Sequence, residues 1–230
     1  FSNWLKGEKM LFTTEVLDKE LTENILSSGN PFTQRKLDNF IVMLESKYAE
    51  SGYYNTNIIQ DVSIDPQNRA GIKLSISQGD RAKIESFKIS GAENFSEEYL
   101  LKLFKIGEPD MMLMNYFTNK DLFTETEFKE GIDLMTGAYF DSGYLDFQIN
   151  SIDSSLDDTK EKISIDIVIS EGIQYQLGNV SFSGETNVIN LNDLENTISI
   201  DEGEVFNRKL IINDIQTLTD MYADKGYAFV

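Results

Sequence analysis

Thirty-nine carboxylates, with no histidine and no cysteine, set the chemistry open to this 230-residue chain. Without imidazole or thiol, the commonest general base and the commonest metal ligand are missing, and so is every thiolate route from disulfide to zinc site. What is left for catalysis is a carboxylate pair or a hydroxyl, and no spacing singles out two acids that a cleft would hold apart for acid and base work. Asp153, Asp157 and Asp158 could suggest calcium, but the glycine and terminal bidentate Glu of a helix-loop-helix site are absent. That stretch reads as a polar hairpin. The expectation is a non-enzymatic protein with no cofactor and no metal.

Charge narrows the partners. Lys and Arg total 20, giving a formal charge of -19, and such a field repels phosphate backbones and anionic headgroups. Nucleic acid is excluded as an expected partner; the plain role of the acidity is a solvated surface. Hydrophobic content of 40% with 26% charged residues fits folded material, and no apolar run approaches the ~20 residues that span a bilayer as a helix.

Two features offer binding instead of chemistry. The stretch from 110 to 124 carries Met111, Met112, Met114, Tyr116 and Phe117, and flexible thioethers beside aromatics suit an adaptable apolar surface. The same residues would equally pack that stretch onto its own domain or a neighbour. The segment Leu145, Asp146, Phe147, Gln148, Ile149, Asn150 and Ser151 reads as a strand. At the rim of a sheet it would present unpaired N–H and C=O groups to an extended segment of another polypeptide. Pairing of that kind is insensitive to side-chain identity; the plain alternative is an ordinary protected edge.

Both features sit in a frame that the chain states three times. Tyr48, Gly52 and Tyr53, then Tyr139, Gly143 and Tyr144, then Tyr222, Gly226 and Tyr227 each spell Tyr-x-x-x-Gly-Tyr at the end of an amphipathic helix. The glycines lie 91 and 83 residues apart, a domain-sized period. In the most complete unit, Ile84, Phe87 and Ile89 predict a strand before Gly91. Ser96 with Glu97 and Glu98 starts a helix carrying Tyr99, Leu100, Leu103 and Phe104 to Gly107. Thr124 and Glu127 have capping-box spacing for a second helix with Phe128, Ile132, Met135 and Tyr139. Two strands follow, the second alternating through Ile163, Ile165, Ile167 and Ile169.

The first unit repeats this order from an opening strand near Trp4, and the third from Val180 and Phe182, but the third lacks a closing hairpin. The predicted fold class is therefore α+β: three tandem β-α-α-β-β repeats over 1–80, 81–173 and 174–230, the third truncated. Each would be a three-stranded mixed sheet covered on one face by two helices. Gly29 to Gly52 and Gly203 to Gly226 both span 23 residues, whereas Gly107 to Gly143 spans 36, which makes the Met-rich stretch an insertion in the middle repeat. Gly79 to Gly91 and Gly172 to Gly184 both span 12, and joins that short predict a semi-rigid curved rod. Since the chain begins and ends inside the pattern, it reads as part of something longer.

The element order, the glycine after the first strand, the Tyr-x-x-x-Gly-Tyr signature, and Ser77-Gln78-Gly79 and Ser170-Glu171-Gly172 after the last strand resemble tandem polypeptide-transport-associated (POTRA) domains of the Omp85 superfamily. The resemblance covers essentially the whole chain. With its insertion in the middle unit, the chain is similar to the periplasmic part of an outer-membrane β-barrel assembly factor, counted as the second, third and truncated fourth domains. This implies a periplasmic location in a Gram-negative bacterium and a membrane β-barrel C-terminal to the repeats. It also implies a scaffold and chaperone role, in which unfolded outer-membrane β-barrel proteins are received by strand addition and accessory lipoproteins are docked. In the family a lipoprotein docks near the end of the third domain's first helix and of its second strand, positions that hold Ile106 and Leu156 here. The insertion is Met-rich where the family's bears Trp, which changes the surface a partner would meet. Two alternatives stay open: the POTRA region of a related translocation or two-partner-secretion barrel protein, and an inert spacer or adhesin array.

Overall fold

A computed structural model describes residues 10–25, 32–67, 69–107, 120–184 and 188–227. The opening strand expected near Trp4 and the run Met111, Met112, Met114, Tyr116 and Phe117 lie outside the described residues.

In the first repeat, α1 (Thr14–Ile25) and α2 (Gln34–Glu50) precede a hairpin of β1 (Asn57–Ile64) and β2 (Ala70–Ser77). Leu37, Phe40, Leu44 and Tyr48 recur every three or four residues along α2, so they share one face, and all four are buried. The hairpin pairs antiparallel from Asn57 opposite Ser77 to Ile64 opposite Ala70. Alternation brings Ile72, Leu74 and Ile76 of β2 and Ile58 and Val62 of β1 against the α2 stripe.

The middle repeat contains β3 (Lys83–Ser90), α3 (Glu97–Leu101), α4 (Glu125–Asp141), β4 (Gln148–Leu156) and β5 (Lys162–Ser170), the order read from the sequence. The strands form one sheet in the order β3-β5-β4. Next to β3, β5 runs parallel: the Lys83 N–H donates to the Glu161 carbonyl at 2.8 Å, and at the other end Gly91 lies against the Ile169 carbonyl. Next to β4 it returns through a hairpin closed by the Asp157 N–H on the Lys162 carbonyl at 3.0 Å. The sheet is therefore mixed, with β5 in the centre. Ile163, Ile165, Ile167 and Ile169 are buried while the positions between them are more exposed, so one face is covered and the other meets water.

Local signals place the helices. The Thr124 hydroxyl oxygen accepts the Glu127 N–H at 3.3 Å, the N-cap half of the box whose spacing is read at the start of α4, while the Glu127 carboxylate accepts the Thr124 hydroxyl at 2.8 Å and not its backbone N–H. The Ser96 hydroxyl oxygen accepts the Tyr99 N–H at the start of α3. That helix is shorter than the stripe to Phe104 suggests. After Leu101 the chain tightens, with the Leu103 and Phe104 N–H groups bonding carbonyls three residues back, which turns Phe104 inward. Its ring fits against Gly131 of α4, where a Cβ would overlap it.

The third repeat contains α5 (Leu191–Glu195) and α6 (Arg208–Ala223). Buried Asp214 of α6 holds the segment that follows α5 by accepting the Ser199 N–H at 2.8 Å and its hydroxyl at 2.6 Å. The strand expected at Val180 and Phe182 is absent. Alternating hydrophobicity makes a strand only where a neighbour takes its backbone groups, and the pairing described in this region is one isolated bridge between Gln176 and Val205.

By packing, the chain divides into two compact units that cut across the repeats. One comprises Phe1–Phe87, Lys105–Lys129 and Ser154–Ile165; the other comprises Lys88–Phe104, Glu130–Asp153 and Asp166–Val230.

Candidate functional site

The three-stranded sheet has two rims, and they differ. Along the start of β3 the outer rim is occupied: Lys83 bridges Leu122, the Ile84 N–H donates to the Asp121 carbonyl at 2.8 Å, and the Phe123 N–H to the Ala82 carbonyl at 2.9 Å. The Lys83 ammonium adds an ion pair to Asp121 at 3.1 Å. Strand β4, in contrast, pairs with β5 alone among the described residues. Its exposed side chains mix polar Gln148, Asn150 and Ser154 with apolar Ile152 and Leu156.

The rim strand begins three residues later than its sequence suggests and runs on to Leu156. Leu145, Asp146 and Phe147 form the turn into it, because Tyr144 and Phe147 both turn inward around Tyr139, the latter stacking on its ring at 4.2 Å. The Leu145 N–H bonds the Gly143 carbonyl and the Phe147 N–H the Tyr144 carbonyl, while the Asp146 carboxylate accepts the Tyr175 hydroxyl at 2.8 Å. Of the seven residues expected on the rim, Gln148, Ile149, Asn150 and Ser151 are strand. The two docking candidates also separate: Ile106 is 2% exposed and so offers no side-chain surface, whereas Leu156 is 37% exposed.

Beneath this rim, a buried carboxylate organises the middle repeat. Glu171, 6% exposed, accepts the Tyr139 hydroxyl at 2.7 Å, the N–H groups of Glu93 and Asn94 at 3.1 and 3.2 Å, and the Asn94 amide. Burial opposes the charge, but these hydrogen bonds outweigh it and hold the carboxyl below its ordinary range. For Tyr139, burial first and then the bond to Glu171 push the phenol well above its usual value, so it stays a donor.

A second feature recurs at the two joins. The Gly52 carbonyl accepts the Ala82 N–H at 2.8 Å, and the Ala82 carbonyl accepts the Phe123 N–H. At the next join the Gly143 carbonyl accepts the Tyr175 N–H at 2.8 Å, and the Tyr175 carbonyl accepts the Phe206 N–H at 3.0 Å. Ala82 and Tyr175 each stand three residues after the glycine that follows a closing strand, and Phe123 and Phe206 each stand just before a helix cap. Both helix-ending glycines have positive φ, and both are packed: a Cβ at Gly52 would overlap the Phe123 carbonyl, and one at Gly143 would lie 2.9 Å from the Tyr175 oxygen. The side chains repeat as well, since Arg81 Nε donates to the Ser51 carbonyl at 3.1 Å where Gln174 Nε2 donates to that of Ser142 at 3.0 Å.

Sequence reading finds short joins after Gly79 and Gly172 but neither the hydrogen bonds that converge on Glu171 nor the backbone bonds that repeat at the joins. Glu171 was visible only as a letter in Ser170-Glu171-Gly172; extending the repeat register across the glycines at 79 and 172 would have paired Ala82 with Tyr175 and Arg81 with Gln174.

The POTRA model, described as "Surface antigen variable number repeat", matches residues 5–79, 82–172 and 175–230. "Outer membrane protein assembly factor BamA" of Neisseria meningitidis serogroup B is 26% identical over 225 residues, which are 98% of this chain and 28% of that protein. The protein of the same name from Buchnera aphidicola subsp. Acyrthosiphon pisum is 26% identical over 227 residues, 98% of this chain and 36% of that one. The chain thus spans about a third of the length of these relatives. The crystal structure of Haemophilus influenzae BamA POTRA3-5 aligns with a TM-score of 0.49 at 17% identity, covering 96% of this chain and 83% of that one. Among the described residues no helix is long and apolar enough to cross a membrane. With matches in three consecutive segments over nearly its whole length, the chain belongs to the POTRA family.

Proposed function

We propose that this chain is the periplasmic scaffold segment of an outer-membrane protein assembly factor, and that β4 receives extended segments of unfolded β-barrel clients by strand addition. The observation that supports this most is the contrast between the rims: β3 is closed at its start by residues 121–123, while β4 pairs with β5 alone among the described residues. An added strand would take up backbone groups along Gln148–Leu156 and, because backbone carries the affinity, would serve clients of unrelated sequence. The segment works in the periplasm without chemistry of its own, as three modules at about 1–80, 81–173 and 174–230, alongside a membrane barrel of the same protein. Accessory lipoproteins dock at the far end of the same strand, where Leu156 supplies exposed apolar surface, with the Met-rich insertion as a second contact.

Hydrogen exchange tests the reading. Outward amides of Gln148–Leu156 exchange fast in the free chain and slow when an unfolded outer-membrane β-barrel protein is added. Slowing confined to other segments, with β4 unchanged, overturns strand addition at this rim.

A further inference from the structure

Toward its far end, the outer rim of β3 is capped by a side chain. The buried residues Ile84, Phe87 and Ile89 share one face, and residues on one face of a strand send their N–H groups to one side. The Ile84 N–H leaves the sheet for the Asp121 carbonyl, so the Ile89 N–H points to the same outer rim. There it donates to the Glu97 carboxylate at 3.0 Å.

A fixed loop brings that carboxylate back to the strand. Gly91 turns the chain with positive φ, Glu171 accepts the Glu93 and Asn94 N–H groups, and the Ser96 hydroxyl oxygen accepts the Tyr99 N–H, which sets Glu97 at the first position of α3. Starting a helix here does not require an acid at that position. Thr13 and Asn190 take the capping place in the first and third repeats, each accepting an N–H of the first turn, and the residues that follow them are Thr14 and Leu191.

We infer that Glu97 is a selectivity residue: it closes the outer rim of β3 to strand addition and leaves β4 as the rim on which an extended client pairs. The inference rests on strand addition as the way clients are received. An incoming strand needs the Ile89 N–H for one of its own carbonyls and must displace a charge-assisted bond to reach it. The carboxylate, once displaced, stands beside carbonyl oxygens that it repels, as charged side chains do when they protect a sheet edge. Strand β4 pairs with β5 alone among the described residues.

The test places a photoreactive residue at Lys88 on β3 or at Asn150 on β4, both exposed, and presents an unfolded outer-membrane β-barrel protein to chains with Glu97 intact, Glu97→Ala or Glu97→Gln. In Glu97→Ala the Ile89 amide should exchange roughly tenfold faster in the free chain. Capture at position 88 should rise severalfold while capture at 150 stays the same. Glu97→Gln, which keeps an acceptor oxygen without the charge, should fall between the parent and Glu97→Ala. Capture at 88 that stays at the parent level in Glu97→Ala, or an Ile89 amide that exchanges no faster, overturns the role. A rise at 88 accompanied by faster exchange throughout β5 marks a general loosening of the sheet and overturns it too. Lack of capture at 150 in the parent chain counts against strand addition at β4 instead, and a rise at 88 in Glu97→Ala still assigns Glu97 its role.

Discussion

Tyr48 with Gln78 and Tyr139 with Glu171 hold matching places in the first and middle repeats, and the two pairs solve one problem differently. In both, a part-buried loop N–H three residues before the first helix is bound by a side chain that follows the last strand. In the first, the Gln78 side-chain oxygen accepts the Leu11 N–H at 2.6 Å, and the buried Tyr48 hydroxyl has no hydrogen-bond partner among the described residues. In the middle repeat the acceptor is a carboxylate, and the tyrosine, two backbone N–H groups and an amide all converge on it. The fold therefore needs an acceptor at this place but not a charge. The charge concentrates hydrogen bonding, and with it pH sensitivity, in the repeat that carries the open rim.

Removing the acceptor separates the repeats most strongly. Glu171→Ala strands the Tyr139 hydroxyl and the N–H groups of Glu93 and Asn94, and should cost about 3 to 5 kcal/mol in urea denaturation, against about 1 to 2 for Gln78→Ala. Equal losses would break the comparison. Glycine substitutions extend it to the third repeat: Gly52→Ala, which must displace the Phe123 carbonyl, should cost about 2 to 4 kcal/mol. Gly226→Ala, with positive φ but open space around it, should cost only about 1. Tyr139→Phe deletes a hydrogen bond to a buried charge and should cost about 1.5 to 3 kcal/mol, whereas Tyr48→Phe should stay within about 0.5 of the parent chain.

The smallest effect is in pH. Because the Glu171 carboxyl sits below its ordinary value of 4.5 in the fold, the unfolded chain binds more protons than the folded chain as acid is added. Its stabilising contribution is complete above about pH 4.5 and is lost as pH falls through the folded value. Stability of Glu171→Gln measured from pH 6 to pH 3 should therefore decline less steeply than that of the parent chain. A parallel decline would show that other carboxylates govern the acid limb.

Much of this was legible in residue spacing, because helix and strand stripes are local. The stripe from Leu37 to Tyr48, the isoleucines of β5, the helix cap at Thr124 and the helix-ending glycines stand where their periods put them. What spacing could not supply depends on distant partners. Leu145 to Phe147 alternate like a strand, yet Tyr139 draws Phe147 out of register with the rim. Val180 and Phe182 alternate too, but no neighbouring strand among the described residues takes their backbone. Ile106 looks like any apolar loop residue until its burial is seen, and Glu97 like any first-turn acid until the Ile89 N–H is found on it.

Where a client is captured tests strand addition at β4 most directly. Photocrosslinking probes at Asn150 on β4, Glu85 on β3 and exposed Asp133 on α4 would be presented to a newly exported outer-membrane β-barrel protein. Capture should be strong at Asn150 and weak at Glu85 and Asp133. Capture at Asn150 no greater than at Asp133 would contradict the account.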